Sequence, residues 1–219
     1  MDLEVIRSYM PLYIEAFILT VKIGWIGIAI SFIVGIFAAF MMHFKVPVIS
    51  KIALAYVELF RNTPLLVQLF FIYFGLPKIG LTVSAPSCGA IGLGLLGGSY
   101  MAEGIRSGLA AIPSSQEESA LSLGLNRRQM FMYVIFPEAV SISVPAIVAN
   151  IVFMLKETSV FSAISLMDLM FTAKDLIGLY YNTTEALFML VIFYIIMLLP
   201  VSILGSVFEK RARFRTLGV

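Results

Sequence analysis

Ser114-Ser115-Gln116-Glu117-Glu118-Ser119-Ala120-Leu121-Ser122-Leu123-Gly124-Leu125-Asn126-Arg127-Arg128-Gln129 is the longest polar-rich run in a chain of 219 residues that is otherwise overwhelmingly apolar. Its local chemistry spells a short helix, a turn and a second helix. Ser115 followed three residues on by Glu118 reads as a capping box, in which each side chain satisfies an N–H left open at a helix start. Glu117 and Glu118 in that first turn suit the positive end of the helix dipole. Gly124 offers the left-handed conformation that closes a helix, and Asn126 caps the next one with Gln129 at the matching position. Ser119, Ala120 and Ser122 beside Leu121 and Leu123 form a small-residue knob shaped for a groove on another protein. An ordinary solvated loop with good caps is the other reading of the same residues.

What flanks this hairpin places it between membrane segments. The chain is 60% hydrophobic and 13% charged, with a mean hydropathy of +1.00, whereas a soluble domain carries about 25% charged residues. That composition describes an all-α polytopic membrane protein. Apolar runs mark five transmembrane helices, at about 16–42, 52–76, 88–112, 137–155 and 186–207, in one transmembrane domain over 1–219 with the polar loop at 114–136. Pro137 is expected to restart the helix after that loop, and the stretch from Ser159 to Glu185 reads as a mixed segment. A lone Cys88 excludes an intrachain disulfide, and a lone His43 excludes a histidine-clustered metal site. The start, Met1-Asp2-Leu3-Glu4, lacks the basic flank of a secretory signal, so no cleaved leader is expected.

Basic residues orient the spans. Lys45, Lys51, Arg127, Arg128, Lys210, Arg211, Arg213 and Arg215 share one side of a five-span chain. Arg7, Lys78 and Lys174 stand on the other, among Asp2, Glu4, Asp168, Asp175 and Glu185. Positive charge collects on the cytoplasmic side, which puts the hairpin and the C-terminus in the cytoplasm and the N-terminus outside.

Ionisable residues at membrane depth are costly and informative. Glu58 and Arg61, and Glu103 and Arg106, are each spaced to share a helix face and neutralise one another. Alternatively they line a polar path with Asn62, Thr63, Gln68, Asn150 and the Lys156-Glu157-Thr158 region. There Arg61 or Lys156 would meet a carboxylate, and Glu58, Glu103 or Glu157 an ammonium; spacing leaves both readings open. Gly104 and Gly108 form a GxxxG match, weak evidence for a dimer and better evidence for a crowded bundle. The chain carries no phosphate-cradling G-x-x-x-x-G-K-[ST], no H-E-x-x-H and no G-x-S-x-G. It is therefore no enzyme, and energy from ATP would have to come from another chain.

The hairpin resembles the EAA loop of permease subunits from bacterial ABC importers, through Glu118-Ser119-Ala120, Gly124 and Val134-Ile135-Phe136-Pro137. Glu58-Leu59-Phe60-Arg61-Asn62-Thr63-Pro64 through Gln68 is similar to the E-x-x-R-G-T-P-x-x-x-Q signature of the polar amino acid branch. Ala102-Glu103 with Arg106-Ser107-Gly108 resembles its A-E-x-x-R-G-G, and Leu155-Lys156-Glu157-Thr158-Ser159 its L-K-D-T-S. The chain departs from those patterns at Asn62, Ser107, Ser119 and Phe136, by small or apolar exchanges, and Ser115 stands where Gly is usual. The resemblance implies the type I ABC importer (MetI-like) fold and a subunit that moves a polar amino acid into the cytoplasm by alternating access. It implies docking to a dimer of cytoplasmic ATPase subunits through Gln116, Glu118, Ser119, Ala120, Gly124 and Pro137. A second permease, identical or homologous, and an extracytoplasmic amino-acid-binding protein complete the implied partners. The chain itself would hold no cofactor, ATP and Mg being used by the ATPase; its surroundings are the lipid bilayer of the bacterial cell membrane, and no nucleic acid is expected. The rivals are the same architecture importing another polar solute, such as an opine or a compatible solute, and an ion channel or receptor-like membrane protein.

Overall fold

The chain opens on a helix, α1 (Leu3–His43), whose first N–H groups are capped by the Asp2 carboxylate accepting from Glu4 N. At 1.5 Å per residue it is about 60 Å long, twice the hydrocarbon thickness of a bilayer, and it begins well before residue 16. The computed structural model describes residues 2–217, with side chains through residue 212. Met1, Gly218, Val219 and the side chains of Arg213 and Arg215 lie outside the described residues.

Eight more helices follow among the described residues: α2 (Ile49–Arg61), α3 (Leu65–Phe70), α4 (Ala85–Ala110), α5 (Ser114–Ser122), α6 (Arg127–Met130), α7 (Phe136–Glu157), α8 (Leu169–Tyr180) and α9 (Thr183–Leu217). Three helical stretches, Leu3–His43, Arg127–Ile164 and Thr183–Ala212, are long and apolar enough to cross a membrane. A fourth comes from joining Ile49–Arg61 to Leu65–Ile79. α4 has the length of a span but is diluted by glycine, and it is the most enclosed helix of the bundle.

α4 is central because its small residues let neighbours approach. A Cβ at Gly97 would strike Met154 of α7, and one at Gly35 of α1 would strike Met101 and the backbone of α4. Met101 and Met154 are fully buried at these crossings, with Leu93, Leu155 and Phe161 in the same core. The GxxxG face packs inside the chain: Gly104 meets Ala146 and Asn150, and Gly108 meets Ser143, all on α7. A second core joins the far ends of α1, α8 and α9, where Tyr13 Oη donates to Ala186 O at 2.7 Å. The fully buried Asp168 caps α8 by accepting from Phe171 N and Met170 N, so the region expected to be mixed is in large part helical.

Three further expectations are corrected. The 52–76 run is not one straight helix but two pieces bent by 105°. Pro137 does not restart a helix, since α6, a π turn at Phe131–Ile135 and α7 follow one another without a break. Pro137 has no N–H for the carbonyl four residues back, and the wider five-residue bonding just before it shifts the ladder past that gap. Ser115 does not cap α5: Pro113 occupies the cap position with no side-chain bond, and Gln116 N donates to Pro113 O at 3.0 Å. The extended conformation of Pro113 lets the helix start two residues earlier than the Ser–Glu spacing implies.

Candidate functional site

The bend between α2 and α3 is built from its own polar side chains. Pro64 lacks an N–H and starts α3 in an extended conformation, which strands carbonyls at the end of α2. Asn62 Nδ2 donates to Glu58 O at 2.7 Å, and Thr63 Oγ1 donates to Leu59 O at 2.7 Å. Gln68, 8% exposed, reaches back from α3 and donates to Thr63 O at 2.9 Å and Phe60 O at 3.1 Å. Asn62, Thr63, Pro64 and Gln68 thus form a stapled helix break, and the Gln68 amide is turned into the break.

Beside that break opens a cleft of about 360 Å³ lined by Arg61, Asn62, Thr63, Tyr100, Phe153 and Glu157, with apolar walls from Leu65, Leu66, Leu96 and Val160. The Arg61 guanidinium lies 5.5 Å above the Tyr100 ring, a cation–π contact. Its Nη1 is 3.7 Å from Glu103 Oε2. Arg61 Nε is buried and meets no acceptor among the described residues. Glu103 is gripped from the other side by Arg106, through Nε at 3.0 Å and Nη2 at 2.5 Å, a two-pronged pair of the kind Arg favours.

These contacts sort the charged residues. Glu103 and Arg106 neutralise one another on α4, whereas Arg61 turns from Glu58 to Glu103. Glu58 instead accepts from Asn62 Nδ2 at 3.3 Å and is exposed. Glu157 is half-buried and lines the cleft, Lys156 beside it is exposed, and Asn150 lies in the crossing of α7 with Gly104. Sequence reasoning missed Tyr100, although it sits one helical turn before Glu103 on α4 and shares its face.

The hairpin is the second site. α5 closes where Gly124, at φ +80°, donates to Leu121 O while Leu125 N donates to Ala120 O. A Cβ at Gly124 would meet nothing within 4 Å, so backbone conformation alone selects glycine there. Asn126 and Gln129 form a full capping box, Asn126 N donating to Gln129 Oε1 at 3.0 Å and Gln129 N to Asn126 Oδ1 at 2.9 Å. α5 presents an outer face of Glu117, Glu118, Ser119, Leu121 and Ser122, with Leu123 after it 83% exposed. Its inner face is Ala120, 4% exposed, and Gln116, whose Nε2 donates to Glu138 Oε1 on α7 at 3.0 Å. Pro137 is exposed, and below the hairpin Leu109, Ile135 and Ala139 make a small apolar base with Met130 and Phe131. Glu138 is the partner that the sequence did not announce. Among the described residues, no group of three or more His, Cys, Asp or Glu side chains is arranged to hold a metal ion.

A polar helix break thus lies beside a central glycine-rich helix, and a helical hairpin stands between α4 and α7. Residues 31–214 match the family described as binding-protein-dependent transport system inner membrane component, and the chain belongs to it. In that family ATP hydrolysis is carried by a separate ATPase subunit. Among curated relatives, the probable glutamine ABC transporter permease protein GlnP of Bacillus subtilis is 33% identical over 172 residues, 78% of this chain and 79% of that protein. The glutamine transport system permease protein GlnP of Escherichia coli K12 is 29% identical over 214 residues, 97% of this chain and 98% of its own length. A crystal structure of an amino acid ABC transporter with histidines superimposes with a TM-score of 0.89 at 34% identity, covering 96% of this chain and 99% of that one. An inward-facing form of the MetNI methionine ABC transporter shares the fold, with a TM-score of 0.78 at 18% identity over 97% of this chain and 99% of its own.

Proposed function

We propose that this inner-membrane subunit carries a polar amino acid into the cytoplasm, crossing the membrane five times with α4 as the third crossing. The N-terminus faces outward, and α5 to α6 sit in the cytoplasm, as the bias of Lys and Arg supports. Two permeases, identical or closely related, enclose the path. A binding protein delivers the amino acid from outside, and two ATPase subunits using ATP and Mg receive the outer face of α5. ATP and substrate shift the inward and outward states only through their different affinities for each.

The observation that carries the substrate class is the cleft beside the helix break. Arg61 offers the cleft a guanidinium held over the Tyr100 ring and only loosely engaged by Glu103 at 3.7 Å, fit for a carboxylate, while Glu157 on the same cleft offers a partner for an ammonium. That pairing suits a zwitterion, and the side chain of the amino acid would lie along Leu65, Leu96 and Phe153.

Uptake into proteoliposomes holding the full complex tests this, with a panel of amino acids and an opine, since a relative 31% identical is the nopaline transport system permease protein NocM of Agrobacterium fabrum. Arg61→Ala should raise the apparent KM for the transported amino acid by roughly tenfold or more, the value of a lost charge-assisted hydrogen bond. Arg61→Lys should recover only part of it, because an ammonium lacks the fork. Both variants should hold the ATPase as wild type does. Unaltered uptake kinetics in Arg61→Ala would overturn the assignment of the cleft.

A further inference from the structure

The resemblance implies Gln116 as an ATPase-docking residue, yet its side chain lies on the inner face of α5. It lies one turn before the buried Ala120 on the inner face of α5 and donates to Glu138 in the first turn of α7. Among the described residues this is the one side-chain hydrogen bond between α5 and a helix long enough to cross the membrane. Along the chain, α5 joins α7 through the Gly124 turn and then α6 and the π turn Phe131–Ile135, which run on into α7 and on which α5 also rests. The left-handed glycine is the compliant link in that route, and without a side-chain tie a push on α5 would be absorbed there.

α7 leads directly from that bond to the cleft. Glu138 sits near one end, Ser143 and Asn150 pack against Gly108 and Gly104 of α4, Met154 fills the space at Gly97, and Glu157 at the far end lines the cleft. From Glu138 to Glu157 is roughly 28 Å of continuous helix. A continuous helix braced against α4 on both sides of its internal Pro145, gripped at one end by the hairpin and contributing to the cleft at the other, is a two-ended lever.

We propose that Gln116 and Glu138 are positioning residues whose hydrogen bond locks α5 to α7, so that movement of the docked ATPases is delivered to the cleft end of α7 rather than dissipated in the hairpin. The inference rests on the reading of α5 as the ATPase-docking helix. It separates two roles on that helix: the outer face engages the ATPase, and the inner face transmits.

The test is coupling stoichiometry: substrate taken up per ATP hydrolysed by the full complex in proteoliposomes with its binding protein. Gln116→Ala and Glu138→Ala should keep ATPase retention and the capacity for ATP hydrolysis, but lose roughly three- to tenfold in uptake per ATP, the span expected for one half-exposed hydrogen bond. Glu138→Gln keeps an acceptor oxygen at the same place and should stay near wild type. Gln116→Glu alone sets two carboxylates together and should be the most uncoupled. Combining Gln116→Glu with Glu138→Gln reverses donor and acceptor and should restore coupling, a rescue that a purely structural defect would not show. Wild-type stoichiometry in both alanine variants, or no recovery in the reversed pair relative to Gln116→Glu, would overturn the proposal. Loss of ATPase retention in the alanine variants would also overturn it, by making the bond part of docking. A wild-type complex that retains no ATPase would instead remove the docking reading beneath it.

Discussion

Replacing Gln68 with leucine separates a staple from a path residue. The Gln68 amide donates to two carbonyls, Phe60 O at 3.1 Å and Thr63 O at 2.9 Å, at a break where the missing N–H of Pro64 leaves Phe60 O no helical donor and Val67 N bonds Pro64 O instead of Thr63 O. Leucine matches the volume and suits the apolar surroundings of Leu65 and Leu69, so packing is preserved and the loss is polar. Each hydrogen bond contributes about 1 kcal/mol net, and each carbonyl left dry costs about 1–3 kcal/mol. Because Phe60 and Thr63 are only half-buried, the lower end applies, and the sum is about 2–4 kcal/mol. The purified chain in detergent should therefore unfold several degrees lower with Gln68→Leu. Gln68→Glu should do no better, because an ionised carboxylate cannot donate, while Gln68→His keeps one donor and should fall between. If Gln68→Leu unfolds at the wild-type temperature yet changes which amino acids are taken up, Gln68 is a path residue and the staple is wrong.

Two other outcomes follow from the backbone. Gly124→Ala meets no steric obstacle, so its cost should be only about 1–2 kcal/mol for holding a non-glycine residue left-handed, with ATPase retention weakened but present; Gly124→Pro, whose ring fixes φ near −65°, should abolish co-purification of the ATPase. Equal retention in both would show that the turn at φ +80° does not shape the docking helix. Gly108→Val would drive a branched side chain into Ser143 and Ala139 O at the α4–α7 crossing, costing about 1–3 kcal/mol by overpacking; a thermal unfolding midpoint equal to wild type would mean that these helices are not held in contact there.

The hairpin was legible in the residues that govern local conformation. Gly124 and the Asn126–Gln129 box act within a few bonds, and the structure has both where the sequence puts them. The Ser115 cap failed although it obeyed the same rule, because Pro113 set the entry of the chain and began the helix earlier. Charged pairs were harder. Spacing joined Arg61 to Glu58 as readily as Glu103 to Arg106, and only the approach of α2 to α4 turned Arg61 towards Glu103 and Tyr100. The motif marks the position of Gln68 and not its direction; the carbonyls of Phe60 and Thr63 that it meets come within reach only once the helix is bent.

Composition was enough to determine a polytopic helical membrane protein, and the ordered motifs, by resemblance, a permease with a helical hairpin, because hydropathy, short-range capping and motif order are properties of the chain itself. The tertiary structure decided the 105° break, the cleft beside it, and the inward face of α5 with Gln116 on Glu138. Those depend on which helices touch. A helical period shows which residues share a face, but only packing decides whether that face meets lipid, an ATPase or another helix of the same chain.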